Sequence, residues 1–82
     1  MNEDDLIKII GLNIKKYRLL YNKNNKKLTI EKLSKLTNLS ITYIYNLENQ
    51  NTTTTISINN LYKIATVLEV PISKFFEKNE IK

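Results

Sequence analysis

The chain has 82 residues, 41% of them hydrophobic, with thirteen Lys and Arg against eight Asp and Glu, one Gly, one Pro, and neither Cys nor His. That length suits one domain built around one core, and the absence of Cys and His excludes disulfides, zinc fingers, thiol nucleophiles and the usual near-neutral general base. Gly11 is the only glycine, so there is no Gly-rich phosphate loop, and the acids do not pair as catalytic carboxylates; no enzyme and no cofactor or metal is expected.

In chain order, Leu6, Ile10, Ile14, Tyr17 and Tyr21 form the stripe of an amphipathic helix over residues 5–21, with Asp4 and Asp5 suited to its positive amino end. The stretch Asn-Lys-Asn-Asn-Lys-Lys at 22–27 offers nothing apolar to bury and predicts an exposed basic loop. No run approaches the ~20 apolar residues of a membrane span. The acidic start Asn2-Glu3-Asp4-Asp5 is opposite in sign to a secretory leader, so a cytoplasmic protein is expected, away from membranes.

Thr29 before Glu31 and Lys32 has the chemistry of an N-cap. It starts a short helix ending near Thr37, with Leu33 and Leu36 expected inward. Asn38 follows, a residue that tolerates the left-handed conformation of a sharp turn, and Leu39 then enters the core. Ser40 caps a third helix that turns Ile44 and Leu47 inward and leaves Ile41, Thr42, Tyr45 and Asn46 largely outward. The polar, β-branched run at 49–55 predicts a loop. Ser57 caps a fourth helix reaching about Glu69, with Ile58, Leu61, Ile64, Ala65 and Leu68 as its stripe. Pro71 stops it and opens a fifth helix carrying Ile72, Phe75 and Phe76. Residues 77–82 are polar and are expected to fray. The expectation is an all-α, compact five-helix bundle forming one domain over 1–82, with its core at about 6–76.

Between Lys8 and Lys35 stand Lys8, Lys15, Lys16, Arg18, Lys23, Lys26, Lys27, Lys32 and Lys35 against one acid, Glu31. This is the electrostatic footprint of a partner such as nucleic acid, or equally a solvated basic face. Two short helices joined by a tight turn over 29–48, the second capped by Ser40 and presenting uncharged polar groups, have helix-turn-helix spacing. The same spacing also suits a plain two-helix core hairpin.

The sequence L-T-I-E-K-L-S-K-L-T-N-L-S-I-T-Y-I-Y-N-L-E-N at 28–49 resembles the helix-turn-helix of the phage Cro and repressor family. I-G-L-N-I-K-K-Y-R at 10–18 is similar to that family's first helix, and L-Y-K-I-A-T-V-L-E-V-P-I-S-K-F-F at 61–76 to its last two. Several residues depart from the pattern. Ile30 stands where Gln is usual, Thr37 where Leu is usual, Asn38 replaces the turn Gly, and Gln50 replaces the Gly after Glu-Asn. The loops at 22–27 and 51–55 are longer than typical.

The resemblance implies a double-stranded DNA-binding transcriptional regulator, a repressor, that reads the major groove as a homodimer. It puts Ile41, Thr42 and Asn46 at base-facing positions with Tyr45 close by. Asn pairs bidentately with adenine, and Ile or the Thr methyl packs on a thymine methyl, so an A·T-rich pseudo-palindrome is expected. Thr29, Ser40, Tyr43 and Asn49 are expected at phosphates, with Lys26, Lys27 and Lys32 neutralising charge at longer range. By the same resemblance Arg18 and Glu48 form a structural salt bridge. Phe75, Phe76 and Ile81 are the candidate dimer surface, pairing two recognition helices about 34 Å apart, with a packed core role the alternative for both Phe residues. The alternative is an antitoxin or protein-interaction module on the same fold, docking a protein such as a toxin through Ile41, Tyr43 and Tyr45.

Overall fold

The computed structural model describes residues 3–23, 26–49 and 54–78. In order these form α1 (Glu3–Leu20), a two-residue antiparallel ladder of β1 (Asn22–Lys23) and β2 (Lys26–Lys27), α2 (Ile30–Thr37), α3 (Ile41–Asn49), α4 (Ile58–Leu68) and a 3-10 helix (Ile72–Phe76). The α1 stripe turns Ile10 and Ile14 into the core, with Leu6, Tyr17 and Tyr21 packed against it. Leu33, Ile44, Leu47, Leu61, Ile64, Ala65, Leu68 and Phe75 complete one cluster. α2, α3 and α4, each too short to be stable alone, thus share a single apolar centre with α1.

Among the described residues four α-helices stand where five helices were expected. The last element is a 3-10 helix, opened by Pro71 at φ −57 and ψ 138 and held by Lys74 N to Pro71 O at 3.0 Å. Five residues are too few to build up the i to i−4 ladder of an α-helix. The tight turn nevertheless tucks Phe75 fully inside, where its ring meets Tyr17 edge-on at 5.3 Å. Asn13, fully buried on the α1 stripe, donates through Nδ2 to Phe75 O at 2.8 Å and Glu77 O at 2.9 Å, fastening this turn to α1.

Two inward assignments are corrected. Leu36 is exposed, and Thr37 is buried in its place, because the short α2 turns Ile30, Leu33 and Thr37 toward the core. The Thr37 hydroxyl is satisfied there by donating to Leu33 O at 2.7 Å. Ile58 is also exposed, since the first turn of α4 projects beyond the core that Leu61 reaches. The 22–27 stretch expected as a loop carries the β1–β2 ladder, pairing Asn22 with Lys27 and Lys23 with Lys26. Glu69 adopts a left-handed φ of 61 after α4, with its N–H on Thr66 O and that of Val70 on Ala65 O. That is the bonding of a Schellman stop, usually made with Gly.

Candidate nucleic-acid interface

Thr29 is extended at φ −84 and ψ 164, and its Oγ1 accepts from Lys32 N at 3.0 Å, capping α2. The helix ends at Asn38, whose φ of 61 and ψ of 28 reverse the chain at once. Side chains then secure the corner. Ser34 Oγ donates to Leu39 O, while Thr37 Oγ1 donates to Leu33 O. Ser40 Oγ accepts from Tyr43 N at 3.0 Å and starts α3. Only Asn38, Leu39 and Ser40 separate α2 from α3, so the relative placement of the two helices is set by local bonds as well as by the core.

Ile44, Leu47 and Glu48 of α3 face inward. The opposite face exposes Ile41, Thr42 and Tyr45, with Asn46 and Asn49 half-buried at its edge. Ile41 is 48% and Tyr45 49% exposed, too much for either to be a core residue. The Asn49 amide donates one N–H to Tyr45 O at 2.8 Å and keeps a second N–H and its carbonyl oxygen for other partners. Ser40 and Thr29 accept cap bonds through one lone pair, and a hydroxyl used in that way keeps its proton to donate elsewhere.

Tyr43 differs from its expected role. Its hydroxyl donates to Thr55 O at 3.0 Å and accepts from Asn60 Nδ2 at 3.3 Å. A phenol has one proton, and here it is spent within the chain. Tyr43 therefore braces α3 against the lead-in to α4.

Behind the exposed face, Arg18 Nε donates to Glu48 Oε2 at 2.7 Å and Nη2 to Oε1 at 2.9 Å. Nη1 donates to Leu28 O at 3.0 Å. One guanidinium thus joins α1, the carboxyl end of α3 and the strand leading into α2. The Leu28 contact was not foreseen, because a backbone carbonyl leaves no mark in a sequence. Glu48 is the one acid of α3, and this fork neutralises it. With no Lys or Arg of its own, α3 presents an uncharged exposed face. The cations lie on other elements, with Lys26, Lys27, Lys32 and Lys35 all exposed.

Of the candidate dimer-surface residues, the two described ones differ in exposure. Phe75 is fully enclosed by the core and is no surface residue. Phe76 is exposed and, with Leu6, Ile10, Ile56, Ile58 and Leu61, lines an apolar hollow of about 290 Å³. Ile81 lies outside the described residues. Among the described residues no helix is long and apolar enough to cross a membrane, and no group of acids is placed to hold a metal ion.

Two short helices set at a fixed corner, the second offering an uncharged polar face, define a helix-turn-helix DNA-binding protein. A family model described as Helix-turn-helix matches residues 14–75, which takes in all of the elements just described except the first part of α1 and the end of the 3-10 helix. The chain belongs to that family, of the Cro and phage-repressor type, whose members are DNA-binding regulators of transcription. No curated protein matches the chain significantly.

Proposed function

We propose that the protein is a transcriptional repressor that binds an A·T-rich, pseudo-palindromic operator as a homodimer, with α3 in the major groove. The observation that carries this reading is the exposed face of α3, where Ile41, Thr42 and Tyr45 stand clear of the core beside Asn46 without a charged group among them. Apolar and amide groups of this kind suit thymine methyls and adenine edges. Ser40 and Thr29, at the amino ends of α3 and α2, bind phosphates and set the register. Lys26, Lys27 and Lys32 add charge, and Asn49 contributes the second N–H of its side-chain amide. Pairing through the apolar surface around Phe76 brings two α3 helices to successive turns of one duplex face, as specificity at this domain size requires.

Selection of bound duplexes from a random pool at two salt concentrations tests this. A single two-fold-related, A·T-rich motif is the expected result. Weak binding without a motif, lost as salt rises, would leave only non-specific attraction. It would favour the second reading, in which exposed Ile41 and Tyr45 dock a protein partner such as a toxin.

A further inference from the structure

The reading face of α3 carries no cation, yet affinity for DNA rests largely on neutralising phosphates. The charge must therefore come from elements beside it. β1 and β2 form a small ribbon immediately ahead of α2, in a stretch with no acid between Tyr21 and Ile30. Both ends of the ribbon are anchored. Tyr21 packs on the core before it and Leu28 is buried after it, 4% exposed. Arg18 then ties Leu28 O to the same guanidinium that holds Glu48 of α3. Lys26 and Lys27 on β2 are both exposed, and Lys27 is two residues, at most about 7 Å of backbone, from the cap Thr29.

We propose that this ribbon is a basic arm that grips DNA phosphates flanking the bases read by α3. The inference rests on α3 being the DNA-reading element and adds a second point of attachment to it. An ordinary loop carrying the same lysines could spread its charge over many positions. A ladder pinned at Tyr21, Leu28 and Arg18 instead holds Lys26 and Lys27 at a fixed offset from α3. Successive residues of a strand leave opposite faces, so the arm presents a cation on each side of the ribbon, and its four-carbon stems supply the remaining reach. The arm adds affinity and position without base preference, because its targets are phosphates.

The test compares the full chain with the double variant Lys26→Gln/Lys27→Gln on two duplexes, one of mixed sequence and one carrying the selected motif. Both changes are at exposed positions, and unchanged circular dichroism and melting would show that the fold is intact. Each lost phosphate contact lowers the log–log salt slope by about 0.9. Two lost contacts bring a drop of about 1.8, equivalent to a roughly 12-fold difference in how affinity responds to a fourfold rise in salt. Trimming the flanks of the motif duplex should weaken the parent protein and leave the variant nearly unaffected. An unchanged slope, or equal losses for parent and variant on trimming, overturns the arm while leaving α3 recognition standing. If the parent binds the mixed duplex but selects no motif, the slope on the mixed duplex still decides the arm. Failure of the parent to bind any duplex overturns both.

Discussion

Arg18 and Glu48, thirty residues apart, close a two-point ion pair with side-chain exposures of 11% and 1%. Because the pair is out of water, each charge depends on the other. Removing one strands its partner at a cost of about 3–5 kcal/mol, whereas replacing both with apolar groups costs far less. Arg18→Met and Glu48→Leu should each lower the denaturation midpoint strongly, with the double change partly restoring it. Arg18→Met also releases Leu28 O, so the recovery should stop short of the parent. Equal, small and additive losses in urea melts would contradict this coupling.

Asn13 fastens the 3-10 turn to α1 by donating to two of its carbonyls, Phe75 O and Glu77 O. Asn13→Ala leaves both without their amide donor and opens a small gap. Phe75 O is the buried one, and a buried acceptor left unsatisfied costs about 1–3 kcal/mol, so a loss of about 1–3 kcal/mol is expected. Asn13→Asp should be worse despite its matching shape, because a carboxylate would face two carbonyl oxygens with no proton to offer. The ordering Asn above Ala above Asp at neutral pH, read from denaturant unfolding, is the check; an Asp variant as stable as the parent would remove the clamp.

Glu69 occupies a left-handed position that costs a side chain with a Cβ about 1 kcal/mol. Glu69→Gly keeps the backbone bonds of the stop and relieves that strain, so a gain of about 0.5–1 kcal/mol is expected. For a domain of this size that is a rise of several degrees in Tm. Asn38, at nearly the same φ, is already among the tolerant residues and should gain less from the same change. A fall in Tm for Glu69→Gly would mean that the Glu69 side chain stabilises the native state by more than its backbone strains it.

The stripe spacing of α1 and α4, the caps Thr29, Ser40 and Ser57, and the turn at Asn38 are local signals, and all of them could be read from the sequence. Leu36 and Ile58 could not, because periodicity finds an apolar face without saying which edge of it meets a neighbour. Pro71 starts an α-helix or a 3-10 helix equally well, so the kind of helix over Ile72–Phe76 leaves no local mark. Asn13 did leave a signal, since a polar residue between Ile10, Ile14 and Tyr17 on a buried stripe must find a partner. Which partner it finds is a matter of tertiary contact. The Tyr43 brace and the bond to Leu28 O are of the same kind. They join elements distant in sequence, and nothing in the local chain announces them.

At the interface, Asn46 and Lys32 should fail in different ways. Asn46 lies at the edge of the α3 face and Lys32 in the first turn of α2. An amide that reads adenine contributes only where the right base is present, at about 1–3 kcal/mol, or about 5- to 150-fold in Kd. A lysine near phosphates contributes on every sequence and in proportion to salt. Asn46→Ala should therefore weaken the selected motif by that factor, scarcely change binding to mixed-sequence DNA, and leave the salt slope as it was. Lys32→Gln should weaken both duplexes alike and lower the slope by about 0.9. Titrations of both variants on both duplexes across a salt series separate these behaviours. A uniform loss for Asn46→Ala would place its contact on the backbone and leave base reading to Ile41, Thr42 and Tyr45.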